Sequence, residues 1–154
     1  MNQPTSSKDL PEGELIALMR TVLNRGADFC FTVSGQSMSP FILNGDTVTI
    51  RPWSWKKPGI GRVVAFIHPD HGRLIIHRIV GKREKVYLIR GDSVFASSID
   101  TVALENIIGY VSKVERNGRR AFFGLGIEGV LIALLSRNKF IRWQCYRRKM
   151  SKKI

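Results

Sequence analysis

The chain has 154 residues, 44% of them hydrophobic, a size and composition suited to one globular domain with appendages. Its two cysteines, Cys30 and Cys145, stand far apart and neither belongs to a C-x-x-C pair, which excludes a cysteine metal site and a disulfide framework. The formal charge of +13 is concentrated at one end: residues 116–154 carry 11 Lys/Arg against the single acid Glu128, whereas residues 1–115 carry 14 against 11.

The N-terminus (M-N-Q-P-T-S-S-K-D) is polar and has neither the charged nor the apolar region of a signal peptide. From residue 10 to 25, Leu15, Ile16, Leu18, Met19, Val22 and Leu23 recur at helical spacing, which predicts an amphipathic helix with Pro11 in its first turn and Gly26 at its end. The period then becomes two. Phe29–Val33 and Asp46–Arg51 are predicted strands, followed by a Pro/Trp/Lys-rich loop over 52–61. Arg62–Ile67 and Arg73–Val80 flank H-P-D-H-G as a hairpin, and Val86–Arg90 and Ile107–Glu115 complete the strand set, with a turn at Asn117-Gly118.

These elements imply a mainly β fold. Residues 1–27 form an N-terminal helical segment, 28–120 an antiparallel β domain, and 121–154 an apolar and then basic C-terminal segment. Ala121–Leu135 is the longest apolar stretch, but it holds three glycines and Glu128 and falls short of the ~20 residues a membrane span requires. Two readings of the C-terminal segment stay open. Either a helix packs on the domain and ends in a solvated basic tail, or the segment lies in a membrane surface with Trp143 and Tyr146 at headgroup depth. The chain is therefore expected in the cytoplasm or peripherally on a membrane. No base-reading motif supports nucleic acid as a partner.

The chemistry-bearing residues lie in three places. Ser37 sits in S-G-Q-S-M-S-P, where Gly35 permits close approach of the backbone and Pro40 stiffens the segment just after the serine. His77, in R-L-I-I-H-R-I-V, falls on the same strand face as Ile75 and Ile79, so it should be partly desolvated and hence neutral and basic near pH 7. R-G-D-S-V-F-A-S-S-I-D supplies Asp92 after a strand and Asp100 further on, either of which could orient an imidazole. Spacing alone leaves both as a turn or cap residue equally well. Cys30 is expected to be a buried thiol, His68 and His71 exposed loop residues, and Trp53 and Trp55 core residues rather than contacts for membrane or substrate. Nothing in the spacing of His, Cys, Asp and Glu calls for a metal or a cofactor.

In this order, S-G-Q-S-M-S-P, G-D-T-V-T-I, G-R-V-V-A-F, H-R-I-V and R-G-D resemble the type I signal peptidase and LexA-like serine peptidase superfamily, over about Phe31–Val114. The resemblance implies that fold, with Ser37 as nucleophile and His77 as general base. It implies Asp100 as the third catalytic acid, with Asp92 a second, structural carboxylate. Where some members carry a serine hydroxyl this chain has Gly35, so the Ser37 backbone N–H is the implied oxyanion donor. Lysine is the base in most bacterial signal peptidases and in the repressors; histidine resembles the archaeal and endoplasmic-reticulum branch. The implied activity is that of a small bacterial serine endopeptidase cutting an extended peptide after small residues such as alanine. A self-processing or non-catalytic module held at a membrane surface, or by phosphate contacts at nucleic acid, through the basic tail in residues 121–154 is the alternative.

Overall fold

The computed structural model describes residues 10–53, 58–93, 98–121 and 124–137. Trp55 and the cationic stretch beyond 137, and with them the readings placed on those residues, lie outside this set.

Helix α1 (Glu12–Asn24) starts after Pro11, where the missing proline N–H costs nothing, and carries Glu12 and Glu14 in a first turn whose partial positive charge they complement. Its apolar stripe sinks Met19 and Leu23 into the core. Eight strands follow: β1 (Phe29–Thr32), β2 (Thr47–Arg51), β3 (Val63–Ile67), β4 (Leu74–Arg83), β5 (Val86–Arg90), β6 (Asp100–Ala103), β7 (Ile107–Arg116) and β8 (Arg119–Ala121). They form one antiparallel sheet in the order β1-β2-β7-β3-β4-β5-β6, with β8 paired to the end of β7. Register shifts at Thr49/Ile50, Ala65/Phe66 and Ile79/Gly81 are bulges, and each adds twist that helps the sheet curl.

The curled sheet has a core on each face. One gathers Met19, Leu23, Phe31, Val48, Val63 and Ala65; the other gathers Val64, Phe66, Ile79, Tyr87, Ile89 and Val102. Alternation along β3 sends Val63 and Ala65 to the first and Val64 and Phe66 to the second, so this central strand is apolar throughout. A second helix, α2, covers residues 128–137.

The architecture is mainly β, as the periodicities predict. Two strands escape them: β6 and β8 are short, and β6 opens on an aspartate. Asp100, expected in a loop or cap, is thus a strand residue paired with Ile89. Cys30 is a correction. It is exposed, with Sγ 3.3 Å from Thr49 Oγ1, because the alternation that turns Phe31 inward turns its neighbour outward. His68 is another, since it is half-buried, while His71 is exposed as expected. Trp53 packs its ring against Tyr110, 4.9 Å between centroids, at the edge of the second core.

Candidate active site

The loop joining β1 to β2 carries Ser37 and is tied shut at its base. Val33 N–H donates to Asp46 C=O and Gly45 N–H donates to Val33 C=O, both at 2.9 Å. Gly35 has φ of 107°, a conformation side chains rarely adopt, and its N–H donates to Asn44 Oδ1 at 3.1 Å. Met38 and Ile42 are buried in the first core, so Ser37 is anchored one residue from a packed side chain while remaining exposed itself.

Asp46, buried, is the clamp of this loop. It accepts from Leu43 N–H at 2.8 Å, and Arg116 on β7 donates Nε to Oδ1 at 2.9 Å and Nη2 to Oδ2 at 2.8 Å. The Arg116 hydrogen bonds hold the Asp46 carboxyl below the usual carboxylate range despite its burial.

β4 supplies neighbours that point in opposite directions. His77 pairs with Val64 of β3 and lies 6.2 Å from the Phe66 ring, centroid to centroid. Burial pushes its pKa below the ordinary histidine value, and the nearby Asp100 carboxylate opposes that shift only in part. His77 Nδ1 lies 3.5 Å from Asp100 Oδ2, longer than a formed hydrogen bond and an ion pair only when the ring is protonated. The other Asp100 oxygen lies 3.8 Å from His68 Nε2. Because His68 Nδ1 accepts from Asp70 N–H at 3.2 Å, the neutral His68 ring carries its proton on Nε2, toward Asp100. Asp100 therefore sits between two imidazoles. The placement of His68 was available in principle: Val64, Phe66 and His68 alternate onto one face.

Asp92 goes elsewhere. Arg78, fully buried, holds it with a two-pronged contact, Nε to Oδ1 at 2.8 Å and Nη2 to Oδ2 at 2.6 Å. The remaining Arg78 nitrogen, Nη1, donates to Gly61 C=O at 2.8 Å and Gly124 C=O at 2.7 Å. Directly after Asp92, Ser93 N–H donates to Ser37 C=O at 2.8 Å. A continuous relay thus runs from Ser37 through Ser93, Asp92 and Arg78 to His77. The structure brings Asp100 to the imidazole and Asp92 to the frame that fixes the serine loop.

Ser37 and His77 line one cleft of about 680 Å³, within the range of ordinary ligand sites. One wall is the Thr32–Gly35 segment and the other is Leu74–Ile76. β5 pairs with β4 only from Arg78 onward, so the stretch of β4 that leads into His77 has an open edge. There Leu74 N–H donates to Glu12 Oε1 of α1 at 3.1 Å. Among the described residues, no group of three or more His, Cys, Asp and Glu side chains is placed to hold a metal ion, and no helix is long and apolar enough to cross a membrane.

No curated protein sequence matches the chain. The model of the Peptidase S24-like family matches residues 2–111, a span that includes Ser37, His77, Asp92 and Asp100. The chain belongs to the Peptidase S24-like family.

Proposed function

We propose that this member of the Peptidase S24-like family is a serine endopeptidase that works through Ser37 and His77, with Asp100 behind the imidazole. The observation that carries the reading is the shared cleft: an exposed serine and a desolvated histidine line it, and a carboxylate lies 3.5 Å from the histidine's far nitrogen.

An extended peptide adds to the open edge of β4 at Leu74–Ile76, its backbone hydrogen-bonded as an extra strand and its scissile carbonyl brought to Ser37. With Nδ1 directed at Asp100, His77 Nε2 is the nitrogen left to take the Ser37 Oγ proton. Oγ attacks the carbonyl carbon, and the Ser37 N–H stabilises the oxyanion. The imidazolium, stabilised by Asp100, then protonates the leaving amine as the C–N bond breaks. Water, deprotonated by His77, attacks the acyl-enzyme and releases the new carboxylate and free Ser37. A histidine suits this frame better than a lysine would, since a lysine must lose several pKa units to be neutral at pH 7. By resemblance to signal peptidases, alanine-like residues before the cut fit best.

The test is labelling by a fluorophosphonate probe and cleavage of Ala-X-Ala peptides by wild type, Ser37→Ala and His77→Ala. Labelling and cleavage that need both residues are expected. Wild-type cleavage by Ser37→Ala overturns the proposal.

A second reading has its own observation. Leu10 and Glu12 line the cleft, so the start of α1 lies beside the nucleophile, which favours self-processing in the residues before α1. Intact mass after long incubation decides it: a clipped product in wild type that is absent from Ser37→Ala is expected, and one unclipped mass in both refutes it.

A further inference from the structure

Helix α2 is amphipathic the wrong way round for a helix at the surface of a water-soluble domain. Gly129 and Ala133 are buried and Ile132 and Ser136 half-buried, so the small residues face the body. The outer face carries Val130, Leu131, Leu134 and Leu135, all exposed, with Leu131 at 63% and Leu135 at 55%. Ile127, 92% exposed, directly precedes the helix in the chain, and Ile60, also exposed, neighbours the glycine on which α2 rests. Soluble monomers seldom leave so many large aliphatic side chains together in water.

This orientation cannot be relieved by rolling the helix. A Cβ built on Gly61 would stand 2.5 Å from Val130 N, and one built on Gly129 would stand 2.6 Å from Gly61 C=O, so the two backbones touch at a contact only glycines allow. At the helix entry, Glu128 Oε1 accepts from Gly124 N–H at 2.8 Å and Gly126 N–H at 3.0 Å. At its end, Arg90 Nη1 donates to Ser136 C=O at 2.9 Å. Turning Leu131 inward would drive a branched side chain into the Gly61 contact.

Charge in the sequence bears on what would cover the face. Beyond residue 137 the sequence holds Lys139, Arg142, Arg147, Arg148, Lys149, Lys152 and Lys153 with no acidic residue, interspersed with Phe140, Ile141, Trp143 and Tyr146. A few residues before Ile60 the sequence also holds Trp55, Lys56 and Lys57. A helix face of aliphatic side chains followed in the sequence by cations and aromatics matches an anionic bilayer surface, whose acyl boundary takes the first and whose headgroups take the others. A protein groove would call for apolar residues without so uniform a run of cations next to them in the sequence.

We propose that the outer face of α2, with Ile60 and Ile127, docks this protein in the plane of an anionic lipid surface. The proposal is independent of catalysis by Ser37. It is tested by flotation of the full chain with phosphatidylcholine vesicles, with and without phosphatidylserine, over a salt series. Binding that requires phosphatidylserine and weakens with salt is expected. Leu131→Glu/Leu135→Glu should lower the vesicle partition by roughly tenfold or more, since two largely exposed leucines lose their acyl contact. Arg147→Gln/Arg148→Gln/Lys149→Gln should lower it by roughly fivefold per charge near the surface. Both variants should keep the wild-type melting temperature and vesicle-free peptide cleavage. Equal partition of wild type and Leu131→Glu/Leu135→Glu overturns the proposal. So does a dimer, seen by light scattering, that Leu131→Glu/Leu135→Glu dissociates in the absence of vesicle binding, because the face is then a contact between two copies. A wild-type monomer that ignores vesicles overturns it as well.

Discussion

Replacing Asp92 by alanine tests the frame of the site more sharply than replacing any residue that would touch substrate. Arg78 is fully buried and the Asp92 side chain is 1% exposed, so neither charge is compensated by water. The substitution strips Arg78 Nε and Nη2 of their acceptors and leaves only the two Nη1 bonds to Gly61 and Gly124. Breaking a buried pair by removing one partner costs about 3–5 kcal/mol, a large part of the ~5–15 kcal/mol that holds a domain of this size. With a urea m-value of about 2 kcal/mol/M, the midpoint should fall by roughly 2 M. Arg78→Met/Asp92→Leu removes both charges and should recover part of that loss, because an apolar pair carries no orphaned charge, while the Gly61 and Gly124 carbonyls still lose their donor. At a temperature where circular dichroism shows Asp92→Ala still folded, its Ser37 should react more slowly with a fluorophosphonate, since Ser93 N–H no longer has a fixed place from which to hold Ser37 C=O. A loss below about 1 kcal/mol, or a double variant as unstable as the two single losses added together, would refute the reasoning.

Two more outcomes are set by the geometry. Burial lowers the His77 pKa, and only the neutral ring accepts a proton, so the acid limb of kcat/KM should lie below about 6.5. Asp100 raises that pKa; Asp100→Asn should therefore move the limb to lower pH while reducing the plateau on the order of a hundredfold or more, and a limb that moves up refutes the assignment. Asp46→Ala removes three hydrogen bonds from the base of the Ser37 loop, two of them to a partly exposed arginine, and should cost about 1–3 kcal/mol by urea titration together with slower probe labelling; wild-type values for both would show that the loop holds without its clamp.

Legibility of the fold in the sequence depends on pattern length. The ten-residue β4 and β7 carry enough alternation to fix their identity and their inward faces, and the stripe of α1 does the same at helical spacing. β6 and β8 span one to two periods each, too short for alternation to emerge. The choice between Asp92 and Asp100 as neighbour of His77 is beyond any spacing argument, because it depends on which side of β5 each carboxylate reaches. Burial of Asp92 requires Arg78, and an arginine in R-L-I-I-H-R-I-V looks like an ordinary surface cation until both cores are in place. His68 and Cys30 depart from expectation for a simpler reason: local composition (a polar turn, an apolar F-C-F run) points one way, and the alternation that sets each side chain's face points the other.

Adjacent residues on one strand thus divide the labour. His77 faces the cleft, and Arg78, turned the other way, joins three segments that share no sequence: the Asp92 turn that holds Ser37, the Gly61 loop, and the Gly124 turn that leads into α2. A lysine at 78 could not do this, since one ammonium cannot match a carboxylate in two parallel bonds and also reach two carbonyls behind it. The same guanidinium therefore fixes the register of the serine loop against the histidine and the seat of the helix whose leucines face outward. The Gly61 segment on which α2 sits is thus bonded to Arg78 Nη1, and from Arg78 it is two hydrogen-bonded steps to Ser37.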